Sequence, residues 1–375
     1  FVPSLLVAYF LPSLLSTLGV ISGDVSNLYF ISSRYLLPAS LVLLTLSIDF
    51  RGILRLGPKA VTMFLTGTVG ILIGGPLAIL LVSWFAPSIV GGQGPDAVWR
   101  GLTTVAGSWI GGGANQAAMK EVFEVGDELF SAMVAVDILV GNLWMAVLLI
   151  AAARSASIDR WIGADTSAIQ EVRERVEKYK ASVTRMPLTV DTILVLAVGF
   201  GVTALAHLGA DFLSPWLELN APQLEKFNLT KSFFWLVVLA TTGGLLLSFT
   251  RARRLEGVGA SRLGTVMLYV LIASIGMKMN LLAVFEHPGL FLVGLIWILI
   301  HAGLLILVAW WIRAPVFFLA VGSQANVGGA ASAPIVASAF HPALAPVGVL
   351  MAVLGYALGT YGAWLCGQLM RMVAP

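Results

Sequence analysis

Two short blocks of this chain collect glycine together with neutral hydrogen-bonding side chains. The first, VAGSWIGGGANQAAMKEVF from Val105, contains Gly107, Ser108, Gly111, Gly112, Gly113, Asn115 and Gln116. The second, AVGSQANVGGAASAPIVASAF from Ala320, contains Gly322, Ser323, Gln324, Asn326, Gly328, Gly329 and Ser332. Each Gly weakens a helix interior by about 1 kcal/mol relative to Ala. Unwound backbone inside an apolar medium survives only where it is packed in protein or lines a polar cavity. Its freed carbonyls can coordinate a cation, and half-helix ends can face charged groups. Ser108, Asn115, Ser323 and Asn326 are therefore candidate ion ligands. Gln116 and Gln324, with Gly111, Gly112, Gly113, Gly328 and Gly329, are candidate substrate contacts. The plainer reading is helix packing through small residues, but packing motifs rarely gather Asn, Gln and Ser beside consecutive glycines.

Asp137 joins the candidate ion ligands. It lies mid-helix in SAMVAVDILVGNLWMAVLL, where an acidic side chain costs several kcal/mol unless paired or hydrated. It can ligate a cation or carry a proton; the alternative is a structural hydrogen bond. Asn142 is about 140° further around the same helix and serves a different face. His301 sits near the centre of another apolar segment, where packing or hydrogen bonding is the ordinary role. Asp49 and Lys278 occupy similar places near helix ends, which suits snorkelling and leaves a mutual pair open. His207, His287 and His341 fall near loop edges without a motif.

The elements that must position these groups are membrane helices. The chain has 375 residues, 58% hydrophobic and 11% charged, with mean hydropathy +0.93. A soluble domain carries about 25% charged residues. The apolar runs have the length of about 20 residues that crosses a bilayer. They fall at 2–18, broken by Pro3 and Pro12, then 36–48, 61–85, 130–153, 193–208, 233–249, 263–277, 290–312 and 346–370, with the glycine segments at 101–119 and 316–340. The chain opens at Phe1 inside an apolar run, so a preceding stretch, up to a whole helix, is expected. The lone Cys366 excludes an intrachain disulfide framework or a cysteine zinc site. No HExxH, GxSxG or phosphate-loop pattern occurs, so no enzyme, cofactor or nucleic-acid role is expected.

One polar stretch, 154–191, divides the chain into a first half, 1–153, and a second, 192–375. Its middle, Ala168–Ala181, has the i,i+4 charge order of a solvated helix in Glu171–Arg175 and Glu174–Lys178. The halves share one order: a helix with a polar end, a Pro, a long apolar helix, a GS-led glycine block and another helix. Charge then sets topology. The basic loops at 51–59, 154–185 and 251–262 belong on the cytoplasmic side. They share it only if each glycine segment enters and leaves on one face, as a re-entrant hairpin. Under that arrangement 15 of the 22 basic residues face inward, the acidic stretches 121–128 and 211–225 face outward, and the two hairpins enter from opposite sides. The expected fold is thus an all-α integral membrane protein of about ten transmembrane helices in two inverted-topology repeats, each with a re-entrant hairpin or broken helix.

The blocks GSWIGGGANQAAMKEVF and GSQANVGGAASAPIVASAF, with the opening FVPSLLVAYFLPSLL, resemble the bacterial membrane family called domain of unknown function 819, over essentially the whole chain. More distantly the layout is similar to the sodium–glutamate, sodium–citrate and bile acid sodium symporters. The resemblance implies a homodimer with an elevator-like moving domain, and Gly111–Gln116 and Ser323–Gly329 at hairpin tips beside substrate and Na⁺. The expected function is a secondary transporter of the bacterial inner membrane, a Na⁺-coupled symporter of a small polar metabolite. H⁺ coupling or a passive pore with the same polar midplane is the alternative.

Overall fold

The computed structural model describes residues 4–22, 26–164, 166, 169, 188–278 and 287–375. Among them the regular structure is entirely helical. Of the expected solvated helix at 168–181, all but Ile169 lies outside the described residues. In chain order the principal helices are α1 (Ser4–Thr17), α2 (Leu28–Leu46), α3 (Phe50–Arg55), α4 (Pro58–Phe85), α5 (Val98–Val122), α6 (Asp127–Ala153) and α7 (Ser155–Ile162). The second half holds α8 (Thr189–Asn220), α9 (Ser232–Ser248), α10 (Ala260–Gly276), α11 (Gly289–Ile312), α12 (Val316–Val327), α13 (Gly329–Phe340) and α14 (Ala345–Val373).

Six of these, α2, α4, α6, α8, α11 and α14, are long and apolar enough to cross a bilayer. α9 passes the same test only with the helical turn Arg251–Val258, to which it is bent by 95°. α10, α12 and α13 are shorter apolar helices. Among the described residues, the expectation of about ten spans thus meets six helices long and apolar enough to cross and a set of shorter apolar pieces.

Several boundaries move for identifiable reasons. α1 continues through Pro12, because helices in an apolar medium tolerate proline when neighbours satisfy the freed carbonyl. The span expected from Leu36 starts at Leu28 and includes a π-helical turn, Ser32–Leu36. α8 runs on to Asn220, past the apolar run ending at Leu208. His207 is therefore within a helix, its Nε2 bonded to the Arg34 carbonyl at 2.9 Å. α4 packs closely on α11 along Gly67, Gly70 and Gly74; a Cβ at Gly74 would meet the Trp297 ring at 2.6 Å.

The polar ends of the helices form two separate clusters. At one end, Asp49 caps α3 through the Gly52 N–H and pairs with Arg253 at 2.6 Å. Ser47 bonds Glu256, Lys59 reaches the Arg313 carbonyl, and the Val316 N–H donates to Asp159 at 2.8 Å. Burial raises the Asp159 carboxyl pKa, and the Val316 bond opposes that rise. At the other end, Lys120 pairs with Asp127, Lys231 with Glu124, and Arg371 reaches the Lys226 carbonyl. Lys278 lies there too, over the Tyr29 ring. An Asp49–Lys278 pair therefore does not form, because the two residues sit at opposite ends of the helices.

Candidate functional site

Both glycine segments fold back on themselves. α5 breaks at Gly112, with φ 74° and ψ −176°, a backbone region open essentially to glycine alone. Its two ends meet: Arg100 donates to the Phe123 carbonyl at 2.6 Å, and the Trp99 and Phe123 rings stand edge to face. Partway along, a Cβ at Gly107 would touch the Asn115 carbonyl at 2.6 Å. An unbroken helix would separate residues 107 and 115 by about 12 Å. α12 and α13 make the second hairpin, turning at Gly328 and Gly329, the latter at φ 57°. Its ends also meet, through the Phe317 and Phe340 rings at 5.3 Å.

The two hairpins start from opposite ends of the helix bundle. The first is rooted beside Arg371, the second beside Asp159 and Arg313. Their tips touch: a Cβ on Gly329 would lie 3.9 Å from the Gly112 Cα. Tip and carboxylate are close in the same region. Asp137 on α6 is 5% exposed. Its Oδ2 accepts from the Ser108 hydroxyl at 2.7 Å and from Gln116 Nε2 at 2.9 Å. The Tyr9 hydroxyl donates to Gln116 Oε1 at 3.1 Å. The Trp109 indole lies next to Asp137, without a hydrogen bond of full geometry. Among the described residues no Lys, Arg or His forms an ion pair with Asp137.

Ser323 occupies the corresponding place in the second hairpin with different partners. Trp144 Nε1 donates to its hydroxyl at 2.8 Å, and His301 Nε2 lies at the same distance. His301 Nδ1 faces the Gly67 carbonyl at 3.0 Å and must donate to it. In the neutral ring, Nε2 is then the acceptor for the Ser323 hydroxyl hydrogen. Asp137 and Trp144 are about 10 Å apart along α6, so one helix serves both hairpins.

The two asparagines form matched clamps. Asn115 donates to the Gly111 carbonyl at 2.9 Å, and Thr360 of α14 donates to its Oδ1 at 2.6 Å. Asn326 donates to the Gly322 and Phe64 carbonyls, and Thr68 of α4 donates to its Oδ1 at 2.8 Å. Gln324 Nε2 donates to Ser332 at 2.6 Å, while its buried Oε1 has no partner among the described residues. Gly111 packs against Gly359, and Gly328 leaves room for the Gln324 amide. Gly113 follows the Gly112 break on the same tip.

The structure thus brings Ser108, Gln116 and Asp137 into one cluster and puts Gly112 against Gly329. Asn115, Ser323 and Asn326 each bond to a neighbouring helix. Asn142 bonds its own helix at Ile138, apart from the cluster. Sequence reasoning did not find Tyr9, Thr68, Trp144 or Thr360. Their signal was the bare presence of a hydroxyl or indole N–H within an apolar helix, too common to single out. Among the described residues no three His, Cys, Asp or Glu side chains gather as a metal cluster.

Comparison with known proteins agrees with this membrane architecture. The chain is 26% identical over 346 residues to the uncharacterized membrane protein YjcL of Bacillus subtilis (strain 168), covering 87% of this chain and 80% of that one. The family described as protein of unknown function (DUF819) matches residues 1–373, and with a match over that length the chain belongs to this family.

Proposed function

We propose that the protein is a cation-coupled secondary transporter of the bacterial inner membrane. One observation carries the reading: two broken hairpins, rooted at opposite ends of the bundle, meet tip to tip at Gly112 and Gly329 beside the intramembrane carboxylate of Asp137. Such backbone is costly in an apolar medium and is kept where it binds a solute or an ion. A carboxylate at that depth without a paired cation needs a proton or a metal ion to stay buried.

The coupling ion sits at Asp137 with Ser108. Na⁺ is the favoured ion because the hairpins are rich in neutral oxygens, among them Ser108 Oγ beside Asp137 and, on the second hairpin, Gln324 Oε1, which has no partner among the described residues. The competing reading is H⁺, carried by the buried Asp137 carboxyl itself. A small polar metabolite lies between the tips, touched by Gln116 and Gln324. Alternating access comes from an elevator-like shift of the hairpins within a homodimer. The end carrying Asp159, Arg253 and Arg313 faces the cytoplasm.

The test is thermal stability of the purified protein in Na⁺ against K⁺ or choline at equal ionic strength, from mildly acidic to mildly basic pH. A ligand of the folded state raises apparent stability by mass action. Saturable stabilisation by Na⁺ that Asp137→Asn abolishes is the expected result. A pH-dependent effect at Asp137 without Na⁺ specificity selects H⁺. No effect of either ion sinks coupling and favours a pore, seen as bilayer conductance.

A further inference from the structure

A cavity of about 440 Å³ lies at the root of the first hairpin, away from the tips. Lys120, Glu121 and Glu124 line it from the hairpin and its exit, Arg34 from α2, His207 from α8, and Lys231 from the start of α9. Its size falls in the range of about 300–1,000 Å³ typical of small-molecule sites. These charged side chains share the walls with Val125, Phe233 and Leu236.

Among the described residues, Arg34, Lys120 and Lys231 line it with Glu121 and Glu124, and Asp127 and Lys278 lie just behind, against Lys120 and Tyr29. Lys120 is committed: it is 7% exposed, 2.7 Å from Asp127, and also donates to the Tyr29 hydroxyl. Glu121 is held by the Tyr29 hydroxyl. Arg34 is held more loosely: it forms an ion pair with Glu121 at 3.7 Å, beyond hydrogen-bond range, and its guanidinium is stacked at 4.5 Å over the Phe233 ring. Stacking orients the planar fork and leaves its N–H edge available. Arg34 also sits on the π-helical turn Ser32–Leu36, an insertion that re-aims side chains and recurs at functional sites. The first turn of α9 lines the same space, and its N–H groups lack a side-chain cap.

We propose that this cavity is a binding vestibule for a small monoanionic carboxylate, held by the Arg34 fork with Lys231 at the rim. Among the described residues, four cations against three carboxylates leave one positive charge for the ligand. That suits a single carboxylate better than a phosphate ester of charge about −1.5 to −2. The inference deepens the transport reading by naming the solute class and its entry on the hairpin side opposite Asp159.

Titration calorimetry on the full chain in lipid nanodiscs tests it, with acetate, lactate, pyroglutamate and glutamate as probes and lactamide and glutamine as uncharged counterparts of lactate and of the glutamate side-chain carboxylate. At least one carboxylate binds saturably. Arg34→Gln weakens it by about tenfold or more, Arg34→Lys retains part of it, and Glu124→Gln tightens it about threefold by releasing Lys231. If no probe binds, or Arg34→Gln binds as well as the parent, the vestibule proposal is wrong. Binding lost in Asp137→Asn but kept in Arg34→Gln moves the carboxylate to the tips, overturning the vestibule while sparing transport. Binding lost only in Arg34→Gln, in a protein indifferent to Na⁺ and pH, leaves the vestibule and removes the coupling reading.

Discussion

The two hairpins use one fastening and two different cargoes of polarity. In each, an asparagine bonds the carbonyl four residues back, and a threonine from a neighbouring long helix donates to its Oδ1. The serines differ. Ser108 donates to a carboxylate, Asp137, while Ser323 sits between an indole and an imidazole. The turns differ as well, Gly112 being in an extended positive-φ conformation and Gly329 in the left-handed helical region. The shared clamp solves a shared problem, holding broken backbone against a helix. The unshared serine partners mark where the hairpins part in chemistry, with a carboxylate against the first and an indole and imidazole against the second.

The sharpest break in this comparison is Asp137→Asn set against Ser323→Ala. The first should remove all cation-linked stabilisation in the thermal assay, and the second should leave it in place. Equal loss in both would mean that the ion site spans both hairpins. Next in size is Gly112→Ala, which places a Cβ in a conformation costing about 1–3 kcal/mol. Gly329→Ala should cost about 1–2 kcal/mol, since single left-handed residues are less strained. Reversible unfolding in mixed micelles would rank the two, and the opposite order would mean that the second tip carries the strain.

Asn326→Ala removes bonds to Phe64 and Gly322 and leaves the Thr68 hydroxyl only its longer bond to the Phe64 carbonyl, 3.3 Å. With interhelical bonds averaging about 0.6 and reaching about 1.7 kcal/mol in membranes, it should cost about 2 kcal/mol. Asn115→Ala should cost somewhat less, having one fewer carbonyl partner. A double-mutant cycle with Thr68→Val and Thr360→Val checks whether each clamp behaves as a unit. The smallest effect is Trp144→Phe, which keeps the ring and loses the bond to Ser323, about 0.6 kcal/mol by the same scale. A much larger loss would show that Trp144 holds the second hairpin against α6.

Much of the candidate site is legible in the sequence. The glycine runs had to break helices, and Asp137 had to find partners, because apolar surroundings punish both unwound backbone and lone charge. The re-entrant folding of each block followed from where Lys and Arg collect, and the touching ends at Arg100–Phe123 and Phe317–Phe340 have that geometry. The identity of the partners is not legible there. Tyr9 reaches Gln116 across 107 residues and Thr360 reaches Asn115 across 245, and one hydroxyl in an apolar helix looks like another. The same holds for Asp49, whose partner proved to be Arg253 rather than Lys278.

The sequence by itself therefore determined what is local in energy: a membrane chain, its apolar segments, the two places where helices must break and the carboxylate that needs company. Hydropathy and backbone propensity are summed over neighbours along the chain, so they can be read without a fold. Only the tertiary structure decided which residues answer those demands. It closed Gly112 on Gly329 and bent Ser108 and Gln116 onto one oxygen of Asp137. It also opened a charged cavity between Arg34 and Lys231. Those outcomes depend on hydrogen bonds and charges only a few ångströms in reach, and their range is met by packing between helices far apart in the chain.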